Sequence, residues 1–262
     1  MKALVIIKKT PDTEAKIQLS SSGDAVDHSD TKFIINPYDE FAIEEALQLK
    51  AKTNCEVVIA SFGPADTKEV VIKGLAMGAD RGLLISNEGL EQADSLVASK
   101  VLAAAIKEEA PDVVFCGKQA VDDDNMHVGT MTAELLNWPH VNVVNKLDID
   151  GQSATAEREV EGGQVEVYKF ELPAIIGANK ALNTPRYASL PGIMKAKRKP
   201  FDQKAPGDYG LNTGDLASGS MAVVNKYVYP PEKPKGKLFQ GEEVGAMVDK
   251  VVNLLREEAK VL

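Results

Sequence analysis

Short apolar runs recur through the first part of the chain, most of them followed by a polar loop and a stretch with helical spacing. The run within Met1–Lys9, then Val57–Ala60, Gly82–Ile85 and Val113–Cys116, read as buried strands, since continuous apolar runs suit a sheet covered on both faces. Four helices are predicted between and after them. The first runs from Tyr38 to about Lys52, with Asn36 as cap and Pro37 at the first position, where no amide hydrogen is needed. The second opens on Asp66 and Glu69, spaced almost as a capping box, and ends at Gly78. The third begins at Asp94 or Ser95, with Val97, Val101 and Ala104 inward. The fourth has Asn125 as N-cap and buries Val128, Met131 and Leu135, spaced i, i+3, i+7. Each parallel pairing needs a crossover, so this alternation predicts an α/β fold with a doubly wound, mostly parallel, Rossmann-like sheet.

The pattern then changes. Val141–Ile149, Ser153–Val160 and Gln164–Phe170 look like strands joined by Asp150-Gly151 and Gly162-Gly163, both hairpin signals. Leu172–Gly177 reads as a strand returning to the main sheet. From Pro185 onward periodicity fades. A basic run, Lys195-Ala196-Lys197-Arg198-Lys199, precedes a Gly-, Asp-, Asn- and Ser-rich stretch from Pro206 to Ser220 and an extended Pro230–Pro234. Only Val244, Met247, Val248, Val251 and Leu255 restore a helical face. The division expected is an α/β domain over 1–185, a loop and basic stretch over 186–200, and an arm over 201–262 that lies on this domain or on a partner.

At 262 residues, 44% of them hydrophobic and 26% charged, the chain can bury a sizeable core. A formal net charge of −9 argues against general nucleic-acid binding, which depends on neutralising phosphates. Cys55 and Cys116 form no CxxC, so neither a disulfide framework nor a zinc site is indicated, and both read as core residues in a reducing compartment. His28, His127 and His140 lack metal-ligand spacing, and His127 reads as packing. No metal is expected. The N-terminal apolar run is too short for a signal peptide, and no stretch approaches the roughly 18 apolar residues of a spanning helix. A soluble, bacterial-cytoplasmic protein without membrane insertion is expected.

Candidate chemistry concentrates in Val113–Thr132, a strand, a polar loop and a helix start. Ligands of open parallel sheets sit at strand carboxyl ends, and unpaired N–H groups at a helix start attract phosphate. Asp122, Asp123 and Asp124 would repel a phosphate, so they are expected to face ribose hydroxyls, an amino group or water. Gly129, Thr130 and Thr132 permit close approach. The competing reading is a solvated loop before an ordinary capped helix. Dinucleotide, P-loop and nucleophile-elbow fingerprints are absent. So is the serine- and glycine-rich loop of adenylating α/β enzymes, and an enzyme with its own nucleophile is not indicated.

Four stretches carry a resemblance: Asn36-Pro37-Tyr38-Asp39-Glu40, Gly78–Gly82, Gly117-Lys118-Gln119-Ala120-Val121-Asp122-Asp123-Asp124, and the long Leu182–Lys197. In order and over essentially the whole chain, they resemble the β subunit of electron transfer flavoproteins. The resemblance implies an electron carrier rather than an enzyme, paired with an α subunit that holds most of one redox-active FAD, while the β subunit buries AMP. AMP contacts would come from Ile6, Asn36 to Asp39, Phe62 and Gly117 to Gly129, a set that includes Asn125, Met126, His127 and Val128. Leu190, Pro191, Ile193, Met194, Lys195, Lys197 and Arg198 would form a recognition loop for acyl-CoA dehydrogenases of fatty acid β-oxidation. A membrane quinone oxidoreductase would be the acceptor. Three positions depart from the family pattern or divide its branches. Thr13 stands where many relatives carry a tyrosine, and Met126-His127-Val128 replaces a frequent Asn-Gln-Thr. Asp122-Asp123-Asp124-Asn125 lacks the glycine of the electron-bifurcating branch, which places a second FAD in this site, yet Pro11-Asp12-Thr13 resembles that branch. The bifurcating subunit and a stand-alone nucleotide-binding stress-type module are the alternatives.

Overall fold

The central strand is β1 (Lys2–Ile6), whose Ala3, Leu4 and Val5 are fully buried because helices cover both faces of the sheet. The computed structural model describes residues 1–233 and 235–262, so Pro234 of the proline-bearing stretch lies outside the described residues. After β1 the chain makes an excursion. β2 (Lys9–Pro11) and β5 (Phe33–Ile35) pair antiparallel, and β3 (Gln18–Leu19) pairs with β4 (Val26–Asp27) between them. The alternation then runs α1 (Pro37–Thr53), β6 (Glu56–Gly63), α2 (Lys68–Met77), β7 (Arg81–Ser86), α3 (Ser95–Glu109), β8 (Val113–Gly117) and α4 (His127–Leu136). A meander follows, β9 (His140–Asp150), β10 (Ser153–Glu159) and β11 (Val165–Glu171), before β12 (Ile175–Ala178) returns to the main sheet. The expected hairpins and returning strand are all present.

Among the described residues, nine strands form one sheet in the order β11-β10-β9-β12-β8-β1-β6-β7, with the edge strand β13 (Phe201–Lys204) beside β7. Every pairing from β9 to β13 is parallel, which is the doubly wound architecture expected. From β1 the chain winds out through β6 and β7, then crosses back to β8 on the other side of β1. That reversal makes β1/β8 the topological switch point, where a crevice opens at the strands' carboxyl ends. Ile43, Leu75 and Phe115 lie in the core on the α1–α2 face, and Leu83, Val101 and Ile106 in the core on the α3–α4 face.

Local signals hold in part. Asp94 caps α3, its carboxylate accepting from Val97 N–H at 2.9 Å. Asn36 precedes α1, but its side chain makes no cap, being engaged elsewhere. Asp66 and Glu69 form no capping box: a 3-10 turn over Ala65–Thr67 precedes α2, and Asp66 accepts from Lys9 at 2.6 Å. The N-cap of α4 is Met126, in the left-handed region at φ 58°, rather than Asn125. Val128 of the expected stripe packs on the core, but Leu135 is exposed, and Gly129, Thr132, Ala133 and Leu136 complete the inward side. Small residues win there because Gly129 sits against β8, where an added Cβ would come 2.8 Å from Cys116 Sγ.

The segment after Pro185 holds more regular structure than periodicity indicates. α5 (Leu190–Ala196) contains the expected recognition residues, so Leu190 lies in a first helical turn and not on a loop. β13 and α6 (Thr213–Ser218), which buries Leu216, belong to the unit formed by residues 1–227. Short elements like these are fixed by what they pack against, and their apolar pattern is too brief to read. Residues 228–262 form a second unit, containing α7 (Val244–Glu257) with Glu243 as N-cap. Val244, Val248 and Val251 line one side of α7 and are exposed. Among the described residues, no helix is long and apolar enough to cross a membrane, and no cluster of side chains could hold a metal ion.

Candidate functional site

A cavity of about 310 Å³ opens at the switch point, between the chain leaving β1, β6 and β8 and the first turns of α3 and α4. Its wall includes Ile6, Asn36, Asp39, Phe62, Gly117, Lys118, Gln119 and Ala120, and then Asp123, Asn125, Met126, His127, Val128 and Gly129. Pro37, Tyr38, Val121, Asp122 and Asp124 are not part of that wall. His127 is exposed at the start of α4, so it is not a packed core residue. Sequence reasoning missed Lys8, Lys9, Asn87, Asp94 and Cys116, which also line the cavity. For Asp94 the N-cap signal is visible in the sequence and its place on the cavity wall is not.

Asn36 and Asp39 organise the site from beneath. Asn36 is buried; its amide donates to Gln119 C=O at 2.8 Å and to Asp39 Oδ1 at 2.9 Å, and its oxygen accepts from Val121 N–H at 3.1 Å. It therefore clamps the loop after β8 rather than capping α1. Asp39, also buried, accepts from Lys8 N–H at 2.7 Å and Gly117 N–H at 2.9 Å. Burial pushes its carboxyl up to about 7, although these N–H groups favour the charged form. The same burial, with Asp39 nearby, pushes the Cys116 thiol up to about 12, so this cysteine stays a neutral wall residue.

The three aspartates of the acidic loop are exposed, and two of them meet an amino group of the protein itself. Lys8 Nζ donates to Asp122 at 2.8 Å and Asp123 at 2.9 Å, and the Gln119 amide donates to Asp124. All three carboxylates are thus turned to donors of the protein. Burial opposes the charge on Lys8, but Asp122 and Asp123 outweigh it and raise its pKa. The first N–H groups of α4 lack intrahelical partners and border the cavity, an arrangement suited to an anion. On the other rim, Asp94 also accepts from Met221 N–H at 2.6 Å and Ala222 N–H at 3.1 Å, tying the end of the first unit to the start of α3.

Asp39 supplies a pH prediction. Its folded pKa lies above the ordinary 3.8. The stability it contributes is therefore fully present below about pH 4 and is lost as pH rises through about 7. Relative to the wild type, Asp39→Asn should show a flatter thermal stability profile between about pH 5 and 8. The difference should approach about 1 kcal/mol per pH unit in the lower part of that window. Parallel profiles for the two proteins would show that Asp39 does not titrate there.

A second surface lies on α5. Ser189 caps this helix through Gly192 N–H at 3.1 Å, and Ala196 is buried in the core. Leu190 and Met194, one turn apart on the opposite side, are 79% and 74% exposed. Ile193, Lys195, Lys197 and Arg198 are exposed beside them. Lys199, the last of the basic run, is not free: its ammonium donates to Leu75 and Ala79 carbonyls at the end of α2.

Sheet order, switch point and cavity define a doubly wound α/β protein with a ligand-sized cleft at the carboxyl edge of its central strands. Residues 25–208 match the family described as Electron transfer flavoprotein domain. An electron transfer flavoprotein subunit beta from Bacillus subtilis is 40% identical over 263 residues, covering 100% of both chains. One from Bradyrhizobium diazoefficiens is 43% identical over 213 residues, 81% of this chain and 84% of that one. The Mus musculus protein of the same name is 38% identical over 96% of this chain and 98% of its own. The chain belongs to the electron transfer flavoprotein family, with the β subunits.

Proposed function

We propose that the chain is the β half of a heterodimer whose α subunit holds most of one FAD, and that AMP occupies the cavity at the β1/β8 switch point. Cavity size carries the ligand assignment. About 310 Å³ is at the lower end of the roughly 300–1,000 Å³ usual for small-molecule sites. That suits a mononucleotide better than FAD, which adds a flavin-bearing half, and so favours AMP over the second FAD of the bifurcating reading. The residues present fit the ligand. α4 offers unpaired N–H groups to a phosphate without side-chain help from Met126 or Val128, and Gly117 and Gly129 let α1 and α4 come close to β8, which sets the cavity wall. AMP has no redox chemistry, so its part is structural.

When bound, FAD supplies the redox chemistry, accepting electrons from a reduced dehydrogenase flavin and passing them on toward a membrane quinone oxidoreductase. This chain holds the nucleotide and presents recognition surfaces. Leu190 and Met194 offer apolar anchors to an acyl-CoA dehydrogenase, while Lys195, Lys197 and Arg198 steer an acidic partner surface and affect on-rate more than affinity. The exposed valines of α7 suit burial on the α subunit, and they argue against a stand-alone nucleotide-binding module. The test is nucleotide extraction from the co-purified complex followed by chromatographic quantitation. One FAD and one AMP per heterodimer is expected. Two FAD and no AMP would move the chain to the bifurcating branch, and ATP without flavin would make it a stand-alone module.

A further inference from the structure

We infer that Lys8 is the positioning residue that shapes the acidic loop into an anion-accepting wall, an inference that rests on the mononucleotide reading of the cavity. Lys8 lies just past β1 and joins two structures that are far apart in sequence. Its main chain holds the start of α1, the N–H donating to Asp39 at 2.7 Å and the C=O accepting from Asn36 N–H at 3.0 Å. Its ammonium reaches the loop after β8, at 2.8 Å from Asp122 and 2.9 Å from Asp123.

That loop needs a restraint. Asp124 and Met126 both have positive φ, 53° and 58°, a region non-glycine residues keep only when their surroundings hold them. Met126 is also the residue through which the chain turns into α4, so its conformation aims the helix's free N–H groups. Two adjacent carboxylates beside those groups would repel an anion. Pairing with Lys8 offsets one of their two charges and turns both toward the ammonium, leaving the helix start to the phosphate. Lys8 therefore acts twice, by fixing the loop and by lowering its negative charge. The second action predicts that neutralising the carboxylates compensates for losing the lysine.

The experiment uses the full chain co-purified with its partner subunit, with AMP as probe, amide exchange without nucleotide, and calorimetric AMP titration. In Lys8→Met, exchange of the Asp124 amide, which donates to Ala120 C=O at 2.9 Å, should quicken about tenfold or more while amides of β1 and β8 keep their rates. AMP binding should weaken about ten- to a hundredfold, and Lys8→Arg should stay within a few-fold of the wild type. Adding Asp122→Asn and Asp123→Asn to Lys8→Met should recover about tenfold of that loss. Unchanged exchange at Asp124, faster exchange spread evenly over the sheet, or no recovery in the triple variant would each overturn the proposal. If the wild type takes up no AMP, the ligand reading fails and the claim that Lys8 serves a nucleotide fails with it. The exchange result alone then decides whether Lys8 holds the loop.

Discussion

Gly117→Ala is expected to abolish most nucleotide retention and to lower the melting temperature by about 2–12 °C. A Cβ at residue 117 would come 2.7 Å from Tyr38 Cβ and 2.8 Å from the Tyr38 carbonyl carbon. The second of these is backbone in the first turn of α1 and cannot swing aside, so α1 and β8 must separate. Overpacking of this kind costs about 1–3 kcal/mol, and each kcal/mol is worth about 2–4 °C in a domain of this size. Separation also breaks the Asp39–Gly117 hydrogen bond and withdraws Asn36 from Gln119 and Val121. The loop that walls the cavity then loses its clamp. Gly207→Ala is the control, since nothing lies within 4 Å of a Cβ there. Melting curves and bound-AMP content of both variants, purified with the partner subunit, decide the matter. Equal behaviour would mean that the close approach of α1 to β8 does not govern the site.

The contrast between Gly117 and Lys8 shows what the residue pattern could carry. The apolar run ending at Gly117 marks a strand, a turn and a helix start, because these depend on neighbours in sequence. That sufficed for the parallel sheet and for the loop at its carboxyl edge, and Asp94 was legible as a cap for the same reason. Lys8 was not. A lysine after a strand has no distinguishing spacing, and its partners Asp122 and Asp123 are more than a hundred residues away. Asn36 has the residue type that favours a helix cap, and tertiary contacts to Gln119 and Val121 override that local preference. The same competition decides α4: the periodic stripe includes Leu135, which is exposed, while Thr132 and Ala133 are buried and Gly129 lies against Cys116 of β8. β13 and α6 are short elements stabilised by β7 and the α3–α4 face, so no window of their own sequence announces them.

Leu190→Ala should weaken docking to an acyl-CoA dehydrogenase by about ten- to a hundredfold and leave the fold intact. Leucine is most often a core residue, and here it is not. Leu190 occupies the first turn of α5, 79% exposed, on the side opposite the buried Ala196. Ser189 and Pro191 set that turn, and neither depends on the leucine side chain. Met194 stands one turn along, so a partner meets two adjacent apolar side chains flanked by Lys195, Lys197 and Arg198. Burying a leucine contributes about 1.5–3 kcal/mol, which at roughly 1.4 kcal/mol per decade gives the stated loss. Met194→Ala should act in the same direction and more weakly, because methionine loses more rotamer freedom on burial. Lys197→Ala should chiefly slow association and lose its effect at high salt. The measurements are dehydrogenase-coupled electron transfer and thermal unfolding of the same preparations. Impaired transfer with an unchanged melting curve is the expected pair. A stability loss of several kcal/mol with normal transfer by the surviving folded protein would make Leu190 a structural residue and move the recognition surface away from α5.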